Sequence, residues 1–232
     1  MFFPVFNLNY LVYMLPALIL SMIAQFYVNA SYARWSKVAN RSGLNGVQVA
    51  QRLADRMGLY GMQFKGTPGK LTDHYDPNRN VLSLSQDIAQ TASVASMAIT
   101  AHEMGHAQQD QEDYWPMRLR TALVPMVNIG TTAGWIMILI GLLLQMSNLA
   151  WLGVIAFSAG AIFSVATLPV ELNASRRAKQ LLKTNGIVTT AEEEQGVNQV
   201  LNAAALTYVA AVATSVLQLM YFASMVGGRR RR

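Results

Sequence analysis

The chain has 232 residues, of which 53% are hydrophobic and 13% charged, and its formal net charge is +6. A soluble domain carries about 25% charged residues, so this composition indicates a membrane protein. The lack of cysteine excludes disulfides and thiolate metal sites, so a metal must be bound by histidine and carboxylate. No basic surface interleaved with aromatic residues accompanies the positive charge, which argues against nucleic acid as a partner.

Three stretches contain no Lys, Arg, Asp or Glu: residues 1–33, 121–170 and 195–228. About 20 apolar residues cross a bilayer, so these stretches predict four transmembrane helices. We place them at Leu11–Tyr32, Val124–Met146, Leu149–Leu168 and Ala203–Val226, with a tight hairpin at Ser147-Asn148. The first span lacks a basic segment before it, which favours a retained anchor with its N-terminus outside over a cleaved signal peptide.

Basic residues near the ends of the spans predict the orientation. Nine Lys and Arg residues near the ends of the spans belong to segments 33–122 and 169–202, and the Ser147-Asn148 hairpin has none. Both segments are therefore expected in the cytoplasm. The nine are Arg34, Lys37, Arg41, Arg118, Arg120, Arg176, Arg177, Lys179 and Lys183. If the last segment spans fully, the tail Arg229–Arg232 lies outside, against the preference of basic residues for the cytoplasm.

The polar region between the first two spans has an α+β pattern. Apolar residues at helical spacing predict a helix over Gly46–Met57 that stops at Gly58. Gly61–Gly69 is partly strand-like, and Leu71–Ser85 predicts two strands around a turn at Asp76-Pro77-Asn78. The second strand, Val81–Ser85, is either an edge strand that pairs with an extended substrate or a core strand. One buried helix is expected over Ile88–Gln109.

The strongest chemical signal lies on this last helix, at His102-Glu103-Met104-Gly105-His106, an H-E-x-x-H motif. Two histidines four residues apart lie on one helix face, one turn apart, at the spacing that a zinc ion needs. The glutamate between them projects toward the open coordination position and can accept a proton from metal-bound water. The pattern is typical of zinc peptidases.

A catalytic zinc site needs three protein ligands and one open position. His74 is the remaining histidine, so otherwise the third ligand is a carboxylate. The best candidate is Glu171, because Pro169 fits the first turn of a new helix just past the third span. The competing interpretation is that Glu171 merely marks the membrane boundary. Three polar residues of the same helix would lie near enough to hydrogen-bond the ligands: Asn173, Ser175 and Arg176.

These residues resemble the YugP-like family of membrane zinc metallopeptidases, distant relatives of the HtpX-type gluzincins. The resemblance covers nearly the whole chain and includes the H-E-x-x-H motif. The stretches that carry it are Gly69–Pro77, Ala101–Glu112, Leu168–Ala178 and Ala203–Ala211. It implies a zincin-like peptidase that binds Zn²⁺ through His102, His106 and Glu171 and uses Glu103 as its base.

One position departs from the HtpX-type pattern. In those relatives an aspartate that supports the metal site follows the third-ligand glutamate by four residues. Here that position is Ser175, and Asn173 could replace the aspartate.

The oxyanion formed in peptide hydrolysis needs a hydrogen-bond donor besides the metal. Candidates are His74, Tyr75, Tyr114, Arg176 and Tyr208. We take His74 as the first choice for this catalytic role. The simpler explanation for His74 is a turn residue that is hydrogen-bonded within Thr72–Asp76.

The predicted protein is a mainly α-helical integral membrane protein with about four transmembrane helices and a small α+β zincin-like cytoplasmic catalytic region. Its expected division is an N-terminal anchor, a catalytic region, a transmembrane hairpin, a cytoplasmic helical segment, a C-terminal transmembrane helix and a basic tail. The corresponding residues are 1–32, 33–122, 123–168, 169–202, 203–228 and 229–232.

The expected function is a zinc-dependent endopeptidase that acts at the cytoplasmic membrane surface. Glu171 follows Leu168 by only three residues, so the metal should lie close to the bilayer. That position favours membrane-tethered or misfolded membrane proteins as substrates, with the lipid bilayer as the other partner. The resemblance and the lack of targeting extensions suggest a bacterial plasma membrane. The sequence leaves an oligomer or a membrane partner protein open.

Two other functions compete with this one. The first is a non-catalytic scaffold or chaperone-like membrane protein that retains a zinc site, but a scaffold has no use for the Glu103 carboxylate. The second is a transporter, and the lack of charged residues inside the spans argues against it.

Overall fold

The structure is a computed structural model that describes residues 8–229. Within these residues it contains seven helices and three strands. The helices are α1 (Leu8–Trp35), α2 (Gly46–Met57), α3 (Gln86–Gln90), α4 (Val94–Gln111), α5 (Trp115–Leu143), α6 (Ser147–Thr184) and α7 (Ala191–Arg229). The strands are β1 (Gln63–Thr67), β2 (His74–Asp76) and β3 (Val81–Ser85). Residues 230–232 of the predicted basic tail lie outside the described residues.

Four helices, α1, α5, α6 and α7, are long and apolar enough to cross a membrane. They expose large apolar side chains, as at Met22, Ile129 and Ile155, whose exposed fractions are 63%, 71% and 66%. A surface of this kind suits lipid rather than water. The predicted fold class is confirmed: a mainly helical membrane protein with four spanning helices and a small α+β region. Each of these helices begins before its predicted span, and all except α5, which ends at Leu143 instead of Met146, also end after it.

The connection between α5 and α6 differs from the predicted one. The predicted tight hairpin is present, but it consists of residues 144–146, because Ser147 already belongs to α6. The physical reason is a local C-terminal cap. Gln145 adopts a left-handed conformation with a φ of 58°. The backbone N–H of Met146 then donates to the carbonyl of Gly141 at 2.8 Å, which satisfies a carbonyl at the end of α5.

The described chain forms two compact units. One consists of the chain up to Ala24, Arg118–Pro169 and the chain from Thr207 onward. In this unit α5 and α6 approach closely, since a Cβ atom on Gly134 would lie 2.7 Å from the carbonyl oxygen of Gly153. Small residues at such crossings allow membrane helices to pack backbone to backbone.

The other unit consists of Gln25–Met117 and Val170–Leu206 and contains the sheet. Its helix α2 has the predicted bounds. Asn45 and Gln48 form a capping box at the start of α2, and Gly58 ends it in a left-handed conformation with a φ of 69°. The core is formed by side chains from α2, β3, α3 and α4, among them Leu53, Leu82, Leu84, Ile88, Met97 and Met104.

The three strands form one sheet in the order β1-β3-β2. β1 pairs parallel with β3, and β2 pairs antiparallel with it. All five residues of β3 are buried, so β3 is a core strand, as one of the two interpretations of Val81–Ser85 predicted. β2 is an edge strand.

The helix predicted over Ile88–Gln109 is in fact two helices, α3 and α4, separated at residues 91–93. The chain there makes strand-like bonds with the segment that follows α1: the N–H of Asn40 donates to Ala92 at 3.1 Å, and Val94 donates to Val38 at 2.9 Å. A continuous helix could not form these bonds. Ser93 then caps α4, because its hydroxyl accepts from the N–H of Ser96.

Candidate metal centre

Helices α4 and α6 meet backbone to backbone at Gly105. A Cβ atom at this position would lie 2.5 Å from the carbonyl oxygen of Ala174 and 3.2 Å from its carbonyl carbon. Real side chains do not approach a backbone so closely, so only glycine allows this crossing. The close approach places His102 and His106, which flank Gly105 on α4, against the part of α6 that carries Glu171.

Glu171 lies inside α6, which runs without interruption from Ser147 to Thr184. The prediction that a new helix begins at Pro169 is therefore wrong. Proline removes one helical hydrogen bond and is unfavourable in a helix interior. The helix nevertheless continues, because Val170, Ala174 and Ala178 are completely buried in the core and packing outweighs local preference.

The candidate ligand atoms converge on one point. Oε2 of Glu171 lies 3.2 Å from Nε2 of His102 and 3.4 Å from Nε2 of His106. The three side chains are buried, and one ligand atom from each lies within 4.8 Å of the other two.

These distances match a zinc site. Bonds of 2.0–2.1 Å in a tetrahedron place two ligand atoms about 3.3 Å apart. A charge-assisted hydrogen bond between imidazole and carboxylate is shorter, at about 2.7–2.9 Å. The donor set of two imidazoles and one carboxylate is also one that zinc takes in catalytic sites. Both the chemistry and the spacing therefore fit this metal.

Glu103 is buried beside these residues, on the same helix as the two histidines. Its Oε2 accepts a hydrogen bond of 3.0 Å from the backbone N–H of Tyr75 on β2. Burial raises the pKa of the Glu103 carboxyl; the two imidazoles oppose the rise, while the carboxylates of Glu171 and Asp73 add to it. A carboxylate with a raised pKa is a stronger base, which suits the acceptance of a proton.

A family model described as "Putative neutral zinc metallopeptidase" matches residues 10–227. The chain belongs to this family. It is also 45% identical over 206 residues to the "Putative membrane protease YugP" of Bacillus subtilis (strain 168), which covers 89% of this chain and 91% of the relative. No solved structure matches the chain.

These matches confirm the predicted resemblance. The protein is a membrane-embedded member of a zinc metallopeptidase family, so its substrates are proteins or peptides and its surroundings are lipid. Zinc is the metal of the family, and the buried group of His102, His106 and Glu171 could bind it.

The Glu103 carboxylate is held by an anchored edge strand, β2. The Tyr75 hydroxyl lies 3.0 Å from Oδ2 of Asp110 on α4 and 3.2 Å from Oδ1 of Asn80. Burial, and then the bond to Asp110, raise the pKa of Tyr75, so the hydroxyl keeps its proton and donates. Directly before β2, the Asp73 carboxylate accepts a hydrogen bond of 2.7 Å from the backbone N–H of Ser85. These contacts fix the Tyr75 amide that binds Glu103.

The Nδ1 atoms of both histidines have polar partners in the structure. Nδ1 of His102 lies 3.3 Å from the hydroxyl of Ser175, and Nδ1 of His106 lies 3.0 Å from Oε1 of Gln109. Of the three residues expected near the ligands, Ser175 therefore contacts one directly. Asn173 contacts Gln109 instead, with 2.9 Å between Oδ1 and Nε2. Arg176 is exposed on α6.

Sequence reasoning missed Gln109 and Arg177. Gln109 follows His106 by three residues, which places both on one helix face, so the spacing could have indicated it. Arg177 donates from Nε to Oδ1 of Asn173 at 2.7 Å and forms an ion pair of 2.7 Å with Glu112. Its partner Glu112, which follows α4, is 65 positions away in sequence, and no local pattern indicates such a pair.

His74 lies on β2, next to the residue whose amide binds Glu103. Its side chain is exposed, and Nδ1 lies 2.9 Å from the carbonyl oxygen of Thr72. This bond is the local turn contact that the simpler explanation expects. The catalytic role of His74 stays a prediction.

Proposed function

We propose that this protein is a gluzincin-type zinc endopeptidase that cleaves membrane-associated or misfolded proteins at the cytoplasmic surface of a bacterial plasma membrane. In this proposal His102, His106 and Glu171 bind the zinc ion, and Glu103 is the catalytic base. The observation that carries it is the convergence of three buried ligand groups, at zinc spacing, beside a buried carboxylate on the same helix.

The chemistry follows from the positions of these groups. Zinc, when bound, polarises a scissile carbonyl and increases the acidity of water. Glu103 accepts the proton of the attacking water and passes it to the leaving amine. Its Oε2 is held by the Tyr75 amide, which orients the carboxylate for this transfer. Burial of the site excludes bulk water and strengthens the electrostatic interactions of the reacting groups.

The position of Glu171 in the chain supports the proposed substrate class. Residues 147–170 of α6 contain no charged residue, and Glu171 is the first one of that helix. A ligand directly after the apolar stretch of this helix is expected to hold the metal near the end of the span, close to the headgroups. Membrane-tethered chains reach such a site at high effective concentration, whereas soluble chains must first partition to the surface.

The test uses the purified protein in liposomes. One casein carrying a transmembrane anchor is compared with the same casein without it, at equal concentration. We expect faster cleavage of the anchored chain and no cleavage of either chain by Glu103→Gln, which should still bind zinc. Glu192→Gln, an exposed glutamate at the start of α7, is the matched control and should cleave at the wild-type rate.

Two results would contradict parts of the proposal. Equal cleavage of soluble and anchored casein would remove the substrate class but leave the peptidase. A zinc-loaded wild-type protein that cleaves neither chain, and no more than Glu103→Gln does, would favour the scaffold function.

A further inference from the structure

We propose that Gln109 is a positioning residue that fixes the tautomer and the ring orientation of His106. The proposal rests on the zinc site described above and adds a residue to it. Gln109 is fully buried on α4, and its side-chain amide lies between His106 and α6.

The hydrogen bonds determine which way the Gln109 amide faces. Its Nε2 lies 2.9 Å from the backbone carbonyl oxygen of Val170, and a carbonyl can only accept. The amide nitrogen must therefore face α6. Oε1 then faces Nδ1 of His106, 3.0 Å away.

A second acceptor supports this orientation. Nε2 of Gln109 also lies 2.9 Å from Oδ1 of Asn173. Arg177, which can only donate, donates from Nε to the same oxygen at 2.7 Å, so Asn173 must present its oxygen there. The ion pair between Arg177 and Glu112 holds the guanidinium in place. Donation thus runs from His106 through Gln109 to the oxygens of Val170 and Asn173, while Arg177 donates to Asn173 from the other side.

The consequence for His106 is a defined tautomer. An oxygen that only accepts requires a proton on Nδ1, so the lone pair lies on Nε2. Nε2 is the atom 3.4 Å from Glu171, where a zinc ligand is needed. His102 has no such constraint, because the hydroxyl of Ser175, at a longer 3.3 Å, can donate or accept. Gln109 therefore fixes the tautomer of His106, whereas Ser175 leaves that of His102 open.

Gln109→Met tests the assignment, since methionine has a similar length and no polar head. We expect the Kd for zinc, measured by competition with a chelating indicator, to rise about 10- to 100-fold. The visible spectrum of the cobalt-substituted protein should shift, because it reports ligand geometry. Gln108→Met, on the same helix and partly exposed, is the control and should change neither quantity. A merely structural role would lower the melting temperature without zinc and leave the Kd of the folded protein unchanged.

A second pair of variants tests the direction of the hydrogen bonds at Asn173. Asn173→Asp keeps an oxygen that accepts from both Gln109 and Arg177, and should bind zinc within about threefold of the wild type. Asn173→Leu removes that oxygen and should weaken binding toward the level of Gln109→Met.

The proposal is overturned if Gln109→Met keeps the wild-type Kd and cobalt spectrum. It is also overturned if Asn173→Asp and Asn173→Leu weaken zinc binding equally. A wild-type protein that binds no zinc would instead remove the proposed function itself, so the two failures are distinguishable.

Discussion

Gly105 of α4 lies so close to Ala174 of α6 that no side chain fits between their backbones. This contact determines how far the two histidines of one helix lie from the carboxylate of the other. The distances of 3.2 and 3.4 Å from the two histidine Nε2 atoms to Oε2 of Glu171 depend on this contact.

Gly105→Ala should therefore weaken zinc binding, although alanine is the better helix former. Its Cβ atom would force the helices apart, and overpacking of this kind costs about 1–3 kcal/mol of folding free energy. Zinc affinity and the melting temperature should both fall. Gly66→Ala is the control, since a Cβ atom on Gly66 has no atom within 4 Å. Wild-type zinc affinity in Gly105→Ala would contradict the role of the crossing.

Tyr75→Phe should slow cleavage while zinc remains bound. The change removes the hydroxyl that holds β2 to Asp110, so the amide that orients Glu103 becomes less fixed. Loss of a hydrogen bond to a charged group costs about 1.5–3 kcal/mol. Measurement of kcat with the anchored casein, together with zinc content, checks the prediction. Tyr60→Phe, at a side chain that is 84% exposed, should leave both unchanged. An unaltered kcat in Tyr75→Phe would show that the hydrogen bond between Tyr75 and Asp110 is not needed for cleavage.

The stabilisation by zinc should decrease in acid. Burial alone lowers the pKa of His106, but the neighbouring carboxylates of Glu171 and Glu103 outweigh this and raise the pKa above 6.5. In the metal-free protein, the protonated imidazole of His106 stabilises the folded state. This stabilisation is fully present below pH 6.5 and is lost as the pH rises through the pKa of His106 in the folded protein. Zinc needs the neutral imidazole, so protons compete with it.

The rise in melting temperature on zinc addition should therefore be largest above the folded pKa of His106 and shrink below it. Thermal unfolding with and without zinc from about pH 5.5 to 8 measures this difference across the histidine range. A shift that stays constant or grows toward acid would contradict histidine ligation.

The proposed orientation can be tested by labelling, because the chain contains no cysteine. Tyr60→Cys introduces a thiol before β1, and Ser147→Cys introduces one at the start of α6, both at exposed positions. In intact cells a membrane-impermeant maleimide should label Ser147→Cys but not Tyr60→Cys. Both should react after detergent is added. The reverse pattern would place the sheet and α4 outside the cytoplasm.

Local spacing was sufficient to predict much of the fold and the first part of the site. The bounds of α2 were predicted correctly, because they depend only on local signals: apolar residues at helical spacing and the glycine that ends the helix. His102, Glu103 and His106 were indicated by a helical spacing that needs no distant partner.

Features that depend on distant contacts were not predictable in the same way. Pro169 signalled a helix start, but the burial of Val170 and Ala174 keeps α6 continuous. The break before Ser93 depends on bonds to the segment after α1. Spacing places Gln109 beside His106, but the direction that its amide faces depends on a carbonyl on α6, 61 positions away.

The zinc content of the detergent-purified protein tests the central claim most directly. We predict about one zinc ion per wild-type chain and none in His106→Ala. His74→Ala, which removes an exposed histidine of the same unit, should retain the metal. No bound zinc in the wild type after zinc is supplied, or equal zinc in the wild type and His106→Ala, would contradict the site proposed here.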